Sequence, residues 1–370
     1  MNAVLRASLA FVLLAVLYLA LVGAAAAVAY AGSRMVLAGG AWAWGGGAVF
    51  AFLTALGIAV LVRFARPTFY ARPASLRVTR AEQPELWKLV EEAAEALHTR
   101  APDDVRLLPD ANAAAHEDTR FLGLLSGRRT LYVGTPLLLA LTRGHLLAVL
   151  VHEMGHYAGG HTRLGTLTLR WRNAMTRRFE GHRATARLWV PLDAYAKVTL
   201  RLTLPFDRRQ EYEADAAAAR AVGKHETIAA LSEVQAVTAA WDTFLERLRA
   251  ALDIGHAPKD VYAGFTRLLA EPGTQARLDT LRATPPEPVR GPYDSHPPLA
   301  DRLAALARLP DTAATPPVAD TPARDLLADP AATLRAGQEV LLAGHRDDKP
   351  RLDWDVLDRV VARAGTAAPA

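Results

Sequence analysis

Val149-Leu150-Val151-His152-Glu153-Met154-Gly155-His156-Tyr157-Ala158-Gly159-Gly160-His161 is the stretch on which the reading of this chain turns. Leu146, Leu147, Val149, Leu150 and Val151 run into it without a polar break, which predicts a buried helix. Gly159 and Gly160 are the signal that ends it. Residues four apart share a helix face, so His152 and His156 can hold one metal ion together. Glu153 lies about 100° round the helix from His152. From there it can reach a water on the metal without being a ligand. A catalytic zinc takes three protein ligands and keeps one position open, so two histidines are not enough.

Two places offer a third ligand. The metzincin pattern needs a glycine three residues past the second histidine and a third histidine six past it. Gly159 fits, but His161 falls one residue short. The alternative is a carboxylate from a second helix. Arg208-Arg209-Gln210-Glu211-Tyr212-Glu213-Ala214-Asp215 places Glu211 and Asp215 four apart, on one face. Glu211 would ligate, and Asp215 would accept from the free ring nitrogen of a ligating histidine. On their own, Glu and Asp at helical spacing usually mark a solvated face, and an HExxH can arise by chance. Here an uncompensated His-Glu-His cluster in an apolar helix would carry a burial penalty.

These motifs resemble those of the membrane-bound zinc metallopeptidases typified by the heat-shock protease HtpX and the type I CAAX prenyl endopeptidase. That family pairs HExxH with a later Arg-x-x-Glu-Tyr-x-Ala-Asp, matched by Arg208, Glu211, Tyr212, Ala214 and Asp215. Asn112-Ala113 and His296-Pro297 fit its Asn-Ala and His-Pro segments, and the resemblance runs from about Leu86 to Leu306. It implies a zincin-like peptidase domain, mainly α with a small β-sheet (α+β), holding one Zn2+ through His152, His156 and Glu211. Glu153 is the expected base, with His296 as a donor near the cleft. Arg208 would pair with a carboxylate in the site, and Asn112 would bind substrate backbone. The substrate would be a protein or peptide. Misfolded membrane proteins and prenylated peptides are both implied, but the second needs a many-span chamber.

Composition narrows the classes. Zero cysteines exclude disulfides, thiolate metal sites and a cysteine nucleophile. A structural zinc site fills all four positions, usually with cysteine or histidine, and would leave Glu153 without a purpose. The net charge of +5 is modest for 370 residues and its arginines are dispersed, which argues against a nucleic-acid partner. A basic domain beside an anionic leaflet is the simpler account.

Residues 1–66 read as a two-helix transmembrane hairpin, with spans at about 7–31 and 42–62. A signal peptide is the alternative for the first run, but its apolar core is too long and a second span follows. Trp42 and Trp44 would mark one interface, and Phe64, Phe69 and Tyr70 the other. Between the spans lies only Arg34, whereas Arg63, Arg66, Arg72, Arg77 and Arg80 follow the second. The positive-inside rule then predicts a multi-pass cell-membrane protein with a cytoplasmic peptidase domain over 67–309. The arginine-rich 163–204 stretch has no uncharged run long enough for further spans.

Thr79-Arg80-Ala81-Glu82 is a capping box, expected to open a helix carrying Leu86, Leu89, Val90 and Ala93 on one face. Asp104–Leu108 reads as a strand, and 120–125 and 129–133 as two strands around a Ser126-Gly127 turn. The strand at 129–133 is expected to offer an edge to substrate. Thr142 should cap the HExxH helix. Helices are expected over 223–252, 257–281 and 299–309, followed by a linker and an extension over 310–370 with no assigned role.

Overall fold

The computed structural model describes residues 3–40, 45–55, 73–120, 125–158, 204, 208–284, 297–311, 320–343 and 349–367. The expectations for His161, His296, residues 163–203 and most of the proline-rich loop lie outside these residues.

Helix α1 (Ala3–Ala38) is followed by α2 (residues 45–55). Gly39 and Gly40 start the reversal with φ of +70° and +101°, which only glycine adopts readily. The helices meet through glycine. A Cβ on Gly32 would lie 2.5 Å from Phe50 Cβ, and one on Gly47 would lie 2.5 Å from Val36 Cγ2. A helical pair is therefore present where two spans were expected. The described side chains of α1 are those of Val12, Val16, Leu19 and residues 22–38, and among the described residues no helix is long and apolar enough to cross a membrane.

A four-stranded sheet follows, in the order β1-β2-β4-β3. Its strands are β1 (Leu76–Val78), β2 (Asp104–Leu108), β3 (Ala113–Arg120) and β4 (Leu125–Gly134). β2 and β4 are parallel and the other pairs antiparallel. The capping box forms, with Glu82 Oε2 accepting from the Thr79 amide at 2.9 Å, but it closes a turn. Helix α3 (Pro84–Ala96) starts after it, because proline at the first helical position has no amide to satisfy.

Two strand expectations are corrected. Ser126 pairs with Thr119 inside the β3–β4 ladder, so Ser126-Gly127 is not the turn. The ladder slips between Glu117 and Thr119, and a Cβ on Gly127 would lie 2.6 Å from the Asp118 carbonyl oxygen. The glycine signals a bulge, where backbones approach closely. Residues 129–133 are paired with β2 on one side and β3 on the other, so they offer no edge. The edge strand is β3, which packs near the HExxH helix.

Helix α4 (Thr135–Ala140) ends at Leu141, which is extended, and α5 (Arg143–Ala158) begins two residues later. Thr142 caps it as expected, its Oγ1 accepting from the His145 amide at 3.1 Å. α5 packs on α3 and on the long α7 (Lys224–Asp253). Leu86, Leu89, Val90 and Ala93 of α3 and Leu146, Leu150 and Val151 of α5 are all fully buried there. The helix expected over 257–281 is two helices, α8 (Val261–Ala270) and α9 (Pro272–Ala283). Pro272 disfavours helical backbone at Glu271, which is extended. Helix α10 (Leu299–Ala307) completes the wall beside α7.

The 310–370 extension is not a separate unit. It contains a 3-10 turn (Ala323–Leu326), α11 (Pro330–Leu342), β6 (Arg351–Leu352) and α12 (Trp354–Ala367). β6 pairs in parallel with β5 (Ala257–Pro258). Ala323, Leu326, Leu327 and Leu342 join the same apolar core as α3, α5 and α7. The Arg143 amide, the first of α5, donates to Thr321 O at 2.7 Å, and the Ala323 amide donates to Leu141 O at 2.8 Å. Buried Gln83 donates to Thr333 and accepts from the Ala328 amide, tying the segment to α3 as well.

Candidate metal centre

The site lies where α5 crosses the helix over residues 208–222, here α6. Gly155 and Ala214 face each other at the crossing, and a Cβ on Gly155 would lie 3.3 Å from Ala214 Cβ. Small residues on both sides bring the backbones close enough for side chains flanking the contact to converge. His152 is 7% exposed and Glu211 5%. Leaving these groups inside an apolar wall without a partner would be costly.

His152 Nε2 is 3.6 Å from Glu211 Oε2, and His156 Nε2 is 3.7 Å from Glu211 Oε1. One ligand atom from each of the three residues falls within 4.8 Å of the others. Two atoms each about 2.1 Å from a tetrahedral ion are about 3.4 Å apart, so the observed separations fit zinc after a small contraction. Two imidazoles and a carboxylate are also a chemically suitable donor set for zinc, with a fourth position left for chemistry. The imidazole planes are nearly perpendicular, at 88°, so the two nitrogens approach from different directions.

Behind the three candidate ligands lies a buried charge pair. Asp215, 2% exposed, accepts from His152 Nδ1 at 3.0 Å. It also accepts from Arg302 Nη2 at 2.6 Å and Nε at 2.8 Å. Burial alone would raise its pKa, but the hydrogen bonds from Arg302 and His152 and their charges outweigh burial and hold it at about 2. Asp215 is therefore ionised at neutral pH. Its bond to Nδ1 favours the tautomer with the lone pair on Nε2, which lies 3.6 Å from Glu211 Oε2 and 3.5 Å from Arg302 Nη2.

Glu153 is half-buried, and its charge acts on Arg302. Arg208 is exposed at the first turn of α6, and the guanidinium paired with Asp215 is that of Arg302. Asn112 is exposed immediately before edge strand β3. His296 lies outside the described residues, but the next residue, Pro297, is buried just ahead of α10. The sequence reading places Arg302 on the 299–309 helix, without a role. A signal existed: Leu299, Arg302, Leu303 and Leu306 follow helical spacing, so this arginine stands on the apolar stripe of its own helix.

Comparison with curated proteins and with solved structures finds no match. The model of peptidase family M48 matches residues 80–309, from the turn ahead of α3 to just past α10. That span contains the three donors, Glu153, Asp215 and Arg302, on the elements that bring them together. The chain thus belongs to peptidase family M48 and is a zinc metallopeptidase, a hydrolase of peptide bonds.

Proposed function

We propose that this chain is a membrane-anchored endopeptidase that cuts extended segments of membrane proteins on the cytoplasmic face of the bilayer, in membrane protein quality control. One observation carries the anchoring. Among the described residues, every large hydrophobic side chain that is exposed falls between Val12 and Leu53, on α1 and α2. Such a concentration of apolar surface suits a lipid environment. The 36 residues of α1 are about 54 Å long at the helical rise, against about 30 Å of hydrocarbon. The arginines from Arg63 to Arg80 support a cytoplasmic peptidase domain.

Zinc, when bound through His152, His156 and Glu211, supplies Lewis-acid activation of water and of the scissile carbonyl. Glu153 takes the proton of the attacking water on its carboxylate and returns it to the leaving amine. An extended substrate segment adds beside β3, with Asn112 at the start of that strand to hold its backbone. His296 donates to the carbonyl oxygen as charge builds there, an effect worth roughly 10²–10³ in rate.

Two measurements test the reading. After an alkaline carbonate wash the protein should stay in the membrane pellet, and release to the supernatant would remove the anchor. Integral membrane proteins should accumulate in cells carrying Glu153→Gln compared with the intact protein. An unchanged membrane proteome would remove the quality-control role.

A further inference from the structure

We infer that Arg302 is a positioning residue of the metal centre, setting the imidazole of His152 for the metal through the carboxylate of Asp215. The inference rests on the zinc site described above and extends it to a third helix. α5 supplies the two histidines, α6 the carboxylates, and α10 the arginine.

The geometry is a relay of fixed groups. Arg302 grips Asp215 with two parallel N–H donors, Nε to Oδ2 at 2.8 Å and Nη2 to Oδ1 at 2.6 Å. Such a fork fixes a carboxylate in its plane, which a single contact does not. The same Oδ1 accepts from His152 Nδ1 at 3.0 Å. With the carboxylate plane fixed, the imidazole plane is fixed too, and Arg302 Nη2 bears on the ring directly as well, 3.4 Å from Nδ1 and 3.5 Å from Nε2 of His152. The Arg302 side chain is only 13% exposed, so water does not compete for these donors.

Charge gives a second, independent reason. Glu153, Glu211 and Asp215 place three carboxylates around one cluster, and a divalent ion balances two. Arg302 balances the third. Its Nη1 lies 3.6 Å from Glu211 Oε2, so the same guanidinium also bears on a ligand. Had the arginine served only to pin α10, an exposed partner would have done so without the desolvation cost of a buried ion pair. Here the pair is buried against the ligands themselves.

The test compares the full-length protein with Arg302→Lys, Arg302→Met, Arg302→Gly, Asp215→Asn and the Arg302→Met/Asp215→Asn double variant. Zinc affinity is read by competition with a chelator, kcat and KM on a peptide, and melting on the metal-free forms. Arg302→Met should weaken zinc by about 10–100-fold, the usual size for a group behind a ligand. It should lower kcat with KM little changed. Arg302→Lys should recover only part of this, because an ammonium cannot form the fork. The double variant should be no worse than the poorer single, since both remove one relay. Added guanidinium should restore zinc affinity in Arg302→Gly, a response that loss of packing alone would not show. Wild-type zinc affinity in Arg302→Met, additive losses in the double variant, or failure of guanidinium rescue would each overturn the assignment. If the intact protein itself bound no zinc, the site reading would fall, and this inference with it. That outcome is distinct from an intact protein that binds zinc and an Arg302 variant that binds it equally well.

Discussion

Gly155 lies against Ala214 at the crossing of α5 and α6, with room for a Cβ only 3.3 Å from its neighbour. The contact sits between His152 and His156 on one helix and between Glu211 and Asp215 on the other. It therefore sets the gap that the ligands must bridge. Gly155→Ala gains about 1 kcal/mol of helix propensity and meets a neighbour that must give by a few tenths of an ångström. These effects nearly cancel, so melting temperature should hardly change. Gly155→Leu cannot be absorbed and should cost about 1–3 kcal/mol through overpacking. It should also weaken zinc by at least about tenfold, since spreading the helices parts the donors. Melting curves and chelator competition on the two variants check this; tight zinc in Gly155→Leu would refute it.

The three roles proposed for Glu153, Glu211 and Asp215 should be separable by their amide or alanine variants. Glu153→Gln should keep stoichiometric zinc and lose about 10²–10⁴ in kcat, the usual contribution of a positioned acid–base group. Glu211→Ala should lose both zinc and activity. Asp215→Asn should fall between, about 10–100-fold down in zinc affinity. His161→Ala should leave zinc in place. Zinc content after mild dialysis against a chelator ranks the four. Zinc lost from His161→Ala and retained by Glu211→Ala would reverse the ligand assignment.

The Asp215 carboxyl titrates at about 2 in the folded protein, below its ordinary 3.8. A lowered folded pKa means that the unfolded chain binds the proton first as pH falls. The stabilisation is thus fully present above about pH 4 and disappears as pH drops towards 2. A shift of this size corresponds to about 2 kcal/mol. Urea unfolding of the metal-free protein should show wild type more stable than Asp215→Asn near neutrality. The gap should narrow between about pH 4 and pH 2. A gap independent of pH over that range would mean that Asp215 is not held ionised by Arg302 and His152.

Trp354 covers Gly264 so closely that a Cβ there would overlap the indole ring. The indole nitrogen donates to Asp260 O at 2.6 Å, next to the start of α8. Gly264→Ala should push the ring off its seat and loosen α12, lowering stability by about 1–3 kcal/mol. A red-shifted, more quenchable tryptophan emission would mark the displaced ring. Unchanged melting and emission would show that α12 docks without this contact.

The sequence made the metal helix and its partner legible because their information is local. Four-residue spacing puts His152 with His156, and Glu211 with Asp215, on common faces, and an apolar run marks the helix that must be buried. Arg302 was not legible as a partner because 87 residues separate it from Asp215, and an arginine on a helix reads as solvated until its neighbours are known. Strand β3 was missed for another reason. Ala-Ala-Ala-His-Glu-Asp-Thr-Arg has little intrinsic strand preference, and its extended form comes from pairing with β4. The Ser-Gly pair inside β4 looked like a turn because glycine serves bulges and turns through the same conformational freedom. The role of the last part of the chain was invisible too. Gln83 and Gln338 find their partners across 250 and 77 residues, distances at which no periodicity speaks.

The acceptor for the first amide of the metal helix, Thr321 O, lies far beyond the end of that helix in the chain. The consequence is one of timing. During synthesis at 5–20 residues per second, residues 320–343 follow α5 on the order of 10–40 s later. Through that interval the helix carrying His152 and His156 has its side-chain cap but lacks its backbone acceptor and the apolar cover of Ala323, Leu326 and Leu327. A hydrolase of polypeptide chains, emerging among other unfinished chains, completes the support of this helix only once residues 320–343 have been made.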